Sequence, residues 1–182
     1  MSLRLFAALT LPEHVVDRVD AVQRGAPGAF WTPDDNLHIT LRFFGDTPEP
    51  IAEDLDVALE HAALSARPFE LRLKGAGVFG KEEPHTLWLG VDPLEPVKTL
   101  AADCERAARS AGLKPEPRKF APHVTIAKLR GVDRVALIGV EKRLALFESP
   151  SWRVETMTLF SSQVRRGEPS LYTIEAEYPL GG

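Results

Sequence analysis

Two histidines stand in matching phrases. His38 lies in LHITL (37–41) and His123 in PHVTI (122–126). Each is followed two positions later by a threonine, Thr40 or Thr125, with branched apolar residues between and after. The histidines are 85 positions apart in a chain of 182, which predicts two equivalent halves with one copy each. An imidazole titrates near ~6.5, so both of its forms are available around neutral pH. A neutral ring takes a proton from an attacking water. A charged ring gives one to a departing oxygen, and hydroxyls donate to oxygens that gain negative charge. Two such pairs facing one cleft suit phosphodiester hydrolysis, with no metal required in principle. A lone His-Xaa-Thr is weak, because chance strands supply it; the weight falls on the second copy in the same context.

The elements around the motifs must present them. Side chains alternate along a strand, so His38 and Thr40 share one face while Ile39 and Leu41 point into a core. The same holds for His123 and Thr125 against Val124 and Ile126. Alternation also puts Arg42 on the face of Thr40, where it would either orient a phosphate or terminal nucleotide or stand as a surface strand arginine. Lys128, by the same rule, falls opposite His123 and needs a bulge to reach the cleft.

Strands are predicted over 3–9, 37–44 (ending at Gly45-Asp46), 69–79, 86–91, 122–129, 152–161 and 171–178, the last two around an Arg165-Arg166-Gly167 turn. Helices are predicted after Leu11-Pro12-Glu13 with Thr10 as cap, over 49–64, from Val97 to a stop at Gly112, and over 133–145. Hairpin-like strand pairs mixed with helices favour an α+β fold over a doubly wound parallel sheet. Cys104 sits on the apolar stripe of the third helix, which marks a core thiol rather than a nucleophile.

Composition closes off other classes. At 44% hydrophobic residues the chain can bury a real core. It has no run of ~18 apolar residues to span a membrane, and a single cysteine excludes an internal disulfide framework. The expected location is the cytoplasm, and a monomer is the simplest expected state. No GxxxxGK[ST] or strand-helix GxGxxG loop is present, so nucleotide-triphosphate and dinucleotide readings start low. Residues 1–91 hold 8 Lys/Arg against 14 Asp/Glu, net −6, and residues 92–182 hold 14 against 12, net +2. The window Lys114–Arg130 is net +4, with Glu116 its one acid, and is either a local anion site or a solvated basic loop.

Taken together, the phrases RLFAALTLP, NLHITLRFFG, LWLGV and FAPHVTIAK, with a late Gly167 and Tyr172, resemble the two-histidine phosphoesterase superfamily. More narrowly, they resemble the RNA 2′,3′-cyclic phosphodiesterases, historically called 2′-5′ RNA ligases. The resemblance spans nearly the whole chain. It implies a single bilobal domain over 1–182, with two antiparallel β-sheets and outer helices around a central groove, related by a pseudo-twofold repeat. It implies hydrolysis of RNA 2′,3′-cyclic phosphate ends to 2′-phosphomonoesters, with no cofactor and no metal, and weak reverse 2′-5′ ligation. His38 would be the proton donor and His123 the proton acceptor. Thr40 and Thr125 would hold phosphate oxygens, with Arg42 and Lys128 as further substrate contacts. The family often has arginine where this chain has Lys128, and lysine keeps the charge but loses the bidentate fork.

The implied partner is an RNA with a 2′,3′-cyclic phosphate terminus, tRNA fragments included, or a nucleoside 2′,3′-cyclic phosphate. Competing readings are a catalytically silent RNA-end or nucleotide-binding module and a phosphodiesterase for another small cyclic phosphate. A two-histidine metal site without carboxylate or cysteine partners is a poor one. Trp88, Tyr172, Trp31 and Phe120 read first as core or groove wall and only then as base platforms.

Overall fold

A computed structural model describes residues 1–181. In chain order it contains β1 (Ser2–Thr10), α1 (Glu13–Asp20), β2 (Ala29–Trp31), β3 (His38–Pro48), α2 (Glu49–Ser65), β4 (Phe69–Phe79) and β5 (Thr86–Asp92). These are followed by α3 (Leu94–Ser110), β6 (His123–Leu129), α4 (Arg134–Leu144), β7 (Trp152–Val154), β8 (Thr156–Arg165) and β9 (Glu168–Pro179). The α+β class holds. Among the described residues no helix is long and apolar enough to cross a membrane.

Proline sets where three helices begin. Pro12, Pro48 and Pro93 occupy the N-cap positions of α1, α2 and α3 in extended conformation, with no side-chain cap. The expected Thr10 cap is therefore replaced: the Val15 and Val16 amides bond the Pro12 carbonyl. Of these helices α4 alone carries a side-chain cap, the Asp133 carboxylate accepting from the Val135 amide at 3.0 Å.

Two strand expectations change, and one short strand stands where none was expected. β3 runs on past Gly45, because a bulge at Phe44 keeps it beside β1 as far as Pro48. The strand expected over 152–161 splits at Glu155, since β7 pairs with β4 while β8 pairs with β1. β2 is three residues in a Gly- and Pro-rich stretch, too short to show a period.

All pairings are antiparallel, in the order β7-β4-β5-β6-β3-β1-β8-β9, with β2 pairing the edge of β6 that faces away from β5. The two expected sheets are thus joined into one nine-stranded sheet, through a seam of one register pair, Ile39↔Val124. Strand β1 lies between β3 and β8, and β5 lies between β6 and β4. The pattern around the first motif strand is repeated around the second with strands drawn from both halves of the sequence, so the sheets interlace rather than follow one another. Helices α2 and α3 pack together over β3, with α2 also against β1 and β9. α4 packs on β4 and is tied to the segment after α1 by Arg143 Nη2, which donates to the Arg24 carbonyl at 2.6 Å.

One core cluster runs under both motif strands and includes Leu9, Ile39, Leu89, Val124 and Ile126, each fully buried. Cys104 belongs to it. Burial pushes its thiol up to about 12, beside Met157 Sδ at 3.8 Å, so it is inert packing as expected.

Candidate active site

The face of β3 and β6 away from the core carries the motifs, and a bulge in each strand decides what else reaches it. In β3 the register runs Thr10↔His38, Leu9↔Ile39, Ala8↔Thr40, then Ala7↔Arg42, leaving Leu41 as the extra residue. In β6 it runs Gly90↔His123, Leu89↔Val124, Trp88↔Thr125, then Leu87↔Ala127, leaving Ile126 extra. Each bulge falls directly after the motif threonine. The alternation slips by one residue beyond it.

That slip reverses the face that simple alternation gives each cation, and for Lys128 it supplies the bulge a contact requires. Arg42 is turned off the groove face and is 8% exposed. Its Nε donates to Glu105 Oε2 of α3 at 2.5 Å, its Nη2 to the Lys114 carbonyl at 2.7 Å, and its Nη1 to the Phe43 carbonyl. Glu105 in turn accepts from the Glu116 amide at 3.1 Å. Arg42 is thus an internal tie between β3, α3 and the 113–121 loop, with its guanidinium engaged by protein partners. Phe43 takes the groove position instead, opposite Phe6. Lys128 moves the other way. It is exposed and pairs with Thr86 on the groove face, so the contact that simple alternation forbade becomes geometrically open.

The seam orders the four motif side chains. With Ile39 opposite Val124, His38 runs level with Thr125, and Thr40 with His123. The histidines therefore occupy one diagonal of a square and the threonines the other. Diagonal neighbours at ordinary strand spacing are about 7–8 Å apart, room for one phosphate between them.

Both rings are held in the same way. Nδ1 of His38 donates to the Asn36 carbonyl at 2.7 Å, and Nδ1 of His123 to the Ala121 carbonyl at 2.6 Å. A carbonyl only accepts, so the proton of each neutral ring sits on Nδ1 and Nε2 is left with its lone pair. Nε2 of His38 meets the Thr40 hydroxyl at 2.9 Å. Asn36 is fixed by its own side-chain amide, which donates to the Ser170 carbonyl at 2.9 Å.

Aromatic walls set the environment. His38 lies 5.1 Å from the Phe6 ring and edge-on to Tyr172 at 5.4 Å. His123 lies edge-on to Phe79 at 4.9 Å, with Trp88 at 6.3 Å. Burial therefore pushes both histidines below the ordinary imidazole value, and the charge of His123 pushes His38 down further. The hydrogen bond to the backbone carbonyl opposes this in each case.

Trp88 owes its position to Gly77. A Cβ there would lie 2.2 Å from the indole Cζ2, so only glycine lets the ring lie against β4. Sequence does not single out Phe6, Phe79 and Phe160, because an aromatic on a β-rich run reads as core before it reads as wall. The two carbonyl partners share one signal, a position two residues before each histidine. Trp31 and Phe120 pack against the core. Among the described residues no three His, Cys, Asp or Glu side chains gather as a metal cluster.

Paired His-Xaa-Thr strands at the centre of a curled antiparallel sheet are the arrangement of the two-histidine phosphoesterases. The chain belongs to the 2′-5′ RNA ligase superfamily, which its residues 11–166 match. It is 32% identical over 183 residues to the RNA 2′,3′-cyclic phosphodiesterase of Methanothermobacter thermautotrophicus, covering 95% of this chain and 96% of that protein. It is 32% identical over 149 residues to the protein of the same name from Aeropyrum pernix, covering 79% and 84%. The crystal structure of TT0787 of Thermus thermophilus superposes with a TM-score of 0.83 at 25% identity, covering 99% of each chain.

Proposed function

We propose that this protein is an RNA 2′,3′-cyclic phosphodiesterase that opens the cyclic end to a 2′-phosphomonoester by paired-histidine catalysis. The observation that carries the reading is the motif square, two imidazoles with the same tautomer on one diagonal and two hydroxyls on the other. Relatives of this length that bear that activity in their names support the substrate class.

In this reading the phosphorus sits at the centre of the square. His123, with its Nε2 lone pair, takes a proton from a water that attacks opposite the 3′-oxygen. His38, protonated at Nε2, gives its proton to that oxygen as the P–O3′ bond breaks. One proton enters at His123 and one leaves at His38, so the rings exchange states and must re-equilibrate with solvent between turnovers. The Thr40 and Thr125 hydroxyls donate to the non-bridging oxygens, where charge grows in the transition state. Thr40 already lies against His38 Nε2, so a phosphate oxygen would take over a hydroxyl that is in place. An anionic phosphate between the rings favours their charged forms and counters the burial that lowers them. Lys128 supplies an open cation beside the site. A 5′-hydroxyl in place of the water would enter by the same in-line path and leave a 2′-5′ linkage. Water is always in excess, so that joining reaction is weak.

The test is turnover of a nucleoside 2′,3′-cyclic phosphate in the presence of a chelator, with end-group analysis of the product. A 2′-monophosphate formed by the wild type and lost in His38→Ala and His123→Ala is the expected result. A 3′-monophosphate would overturn the assignment of leaving group. Tight binding with no product over hours would make the protein an RNA-end binding module instead.

A further inference from the structure

We propose that Phe30 and Lys128 form a second subsite, which stacks a nucleobase upstream of the terminal cyclic phosphate and contacts its linking phosphate. The proposal rests on the reading of the groove given above and extends it to what lies beside the reacting nucleotide.

Strand β2 has only three residues, and they divide sharply. Ala29 and Trp31 pack against the core, while Phe30 between them is 64% exposed. Among the described residues it is the one aromatic ring among the exposed large hydrophobic side chains. Its place in the sheet gives the exposure a direction. Phe30 pairs with Lys128, Lys128 with Thr86, and Thr86 with Phe79. Paired residues of antiparallel strands share a face, so these four form one row across the groove side. The row ends at the ring that stands edge-on to His123. The bulge at Ile126 is what brings Lys128, and with it Phe30, onto this face.

The chemistry of the row selects its occupant. It offers an open aromatic face and a flexible ammonium, and no carboxylate. The Thr86 hydroxyl between them is already engaged, 2.8 Å from His85 Nδ1. Single-stranded nucleic acid presents the complement, a π-face joined to a phosphate, and base–aromatic stacking tolerates any base. Position selects which nucleotide. Lys128 lies five residues beyond His123 with one absorbed by the bulge, about 13 Å along the strand. That step sets the row beyond the phosphate held between the histidines, where a neighbouring nucleotide rather than the cyclic phosphate itself would lie.

The experiment compares kcat/KM for a mononucleotide 2′,3′-cyclic phosphate with that for short oligonucleotides ending in the same nucleotide. Stacking on one ring predicts that the wild type prefers the oligonucleotide by about tenfold, that Phe30→Ala abolishes the preference, and that Phe30→Trp keeps it. An abasic upstream nucleotide should lower the wild-type preference to the level of Phe30→Ala. An unchanged ratio in Phe30→Ala overturns the proposal, as does a wild-type dimer in sedimentation that Phe30→Ala dissolves, which would assign the ring to a second copy. If neither substrate is hydrolysed, the catalytic reading fails by itself. The subsite is then judged by the affinity for an oligonucleotide 2′-monophosphate, where loss in Phe30→Ala and retention in Phe30→Trp support it and equal affinities overturn it.

Discussion

The β3 and β6 sides of the groove carry the same local code in different surroundings. Each has histidine and threonine on one face, a carbonyl two residues upstream on Nδ1, and a bulge after the threonine. They differ in what stands five residues past the histidine: Phe43 on the β3 side, Lys128 on the β6 side. Around His38, Phe6, Tyr172 and Phe160 close an apolar niche. Around His123 the wall is aromatic on one flank and leads to an exposed cation on the other. Motif geometry fixes tautomer and direction, while the wall fixes how readily each ring holds a charge.

The comparison breaks most visibly if either histidine is dispensable. His38→Ala and His123→Ala are each expected to lower kcat by about 10²–10⁴-fold in single-turnover assays. A loss in one variant with near wild-type rate in the other would end the acid–base pairing. Thr40→Ala and Thr125→Ala come next, with about 10²-fold lost from kcat by removal of one donor to the transition state. Similar losses in both would show that the threonine diagonal is shared evenly; a loss confined to Thr40 would point to a role through His38.

The two cations should then separate. Arg42→Ala strips a buried partner from Glu105 and leaves the Lys114 carbonyl unpaired, so about 3 kcal/mol of unfolding free energy should disappear in denaturant titration. Lys128→Ala should leave the denaturation midpoint in place and instead raise KM with a weaker salt dependence. The reverse pattern would restore Arg42 to the groove.

The smallest effects lie in pH. Both free-enzyme histidines titrate below the ordinary value, so both limbs of a kcat/KM profile should lie at lower pH than unperturbed imidazoles would give. Bound phosphate favours the charged rings, so the kcat profile should be displaced to higher pH. Coincident profiles would argue against a phosphate held between the rings. Stability follows the same sign. The unfolded chain takes up protons that the buried rings resist, so stability should fall as pH drops below about 6.5. His38→Ala and His123→Ala should each flatten that slope.

Much of this was legible in the chain. The motif repeat, the face shared by His38 and Thr40, the strand 69–79 and the core position of Cys104 follow from periodicities of 2 and 3.6 that act within a few residues. The same rule misdirects Arg42 and Lys128, because alternation holds only until a bulge, and a bulge depends on the partner strand. Phe30 gives no signal in the sequence, because three residues show no period.

Residue types and local spacing by themselves determined that two imidazole–hydroxyl pairs exist and that each has a packed back and a polar front. Which strands sit side by side is decided by long-range pairing. Only that pairing sets His38 level with Thr125, divides 152–161 between two partner strands, and turns Arg42 inward while Lys128 faces out. Register, bulges and wall contacts are properties of two strands at once, and a single stretch of sequence carries only one of them.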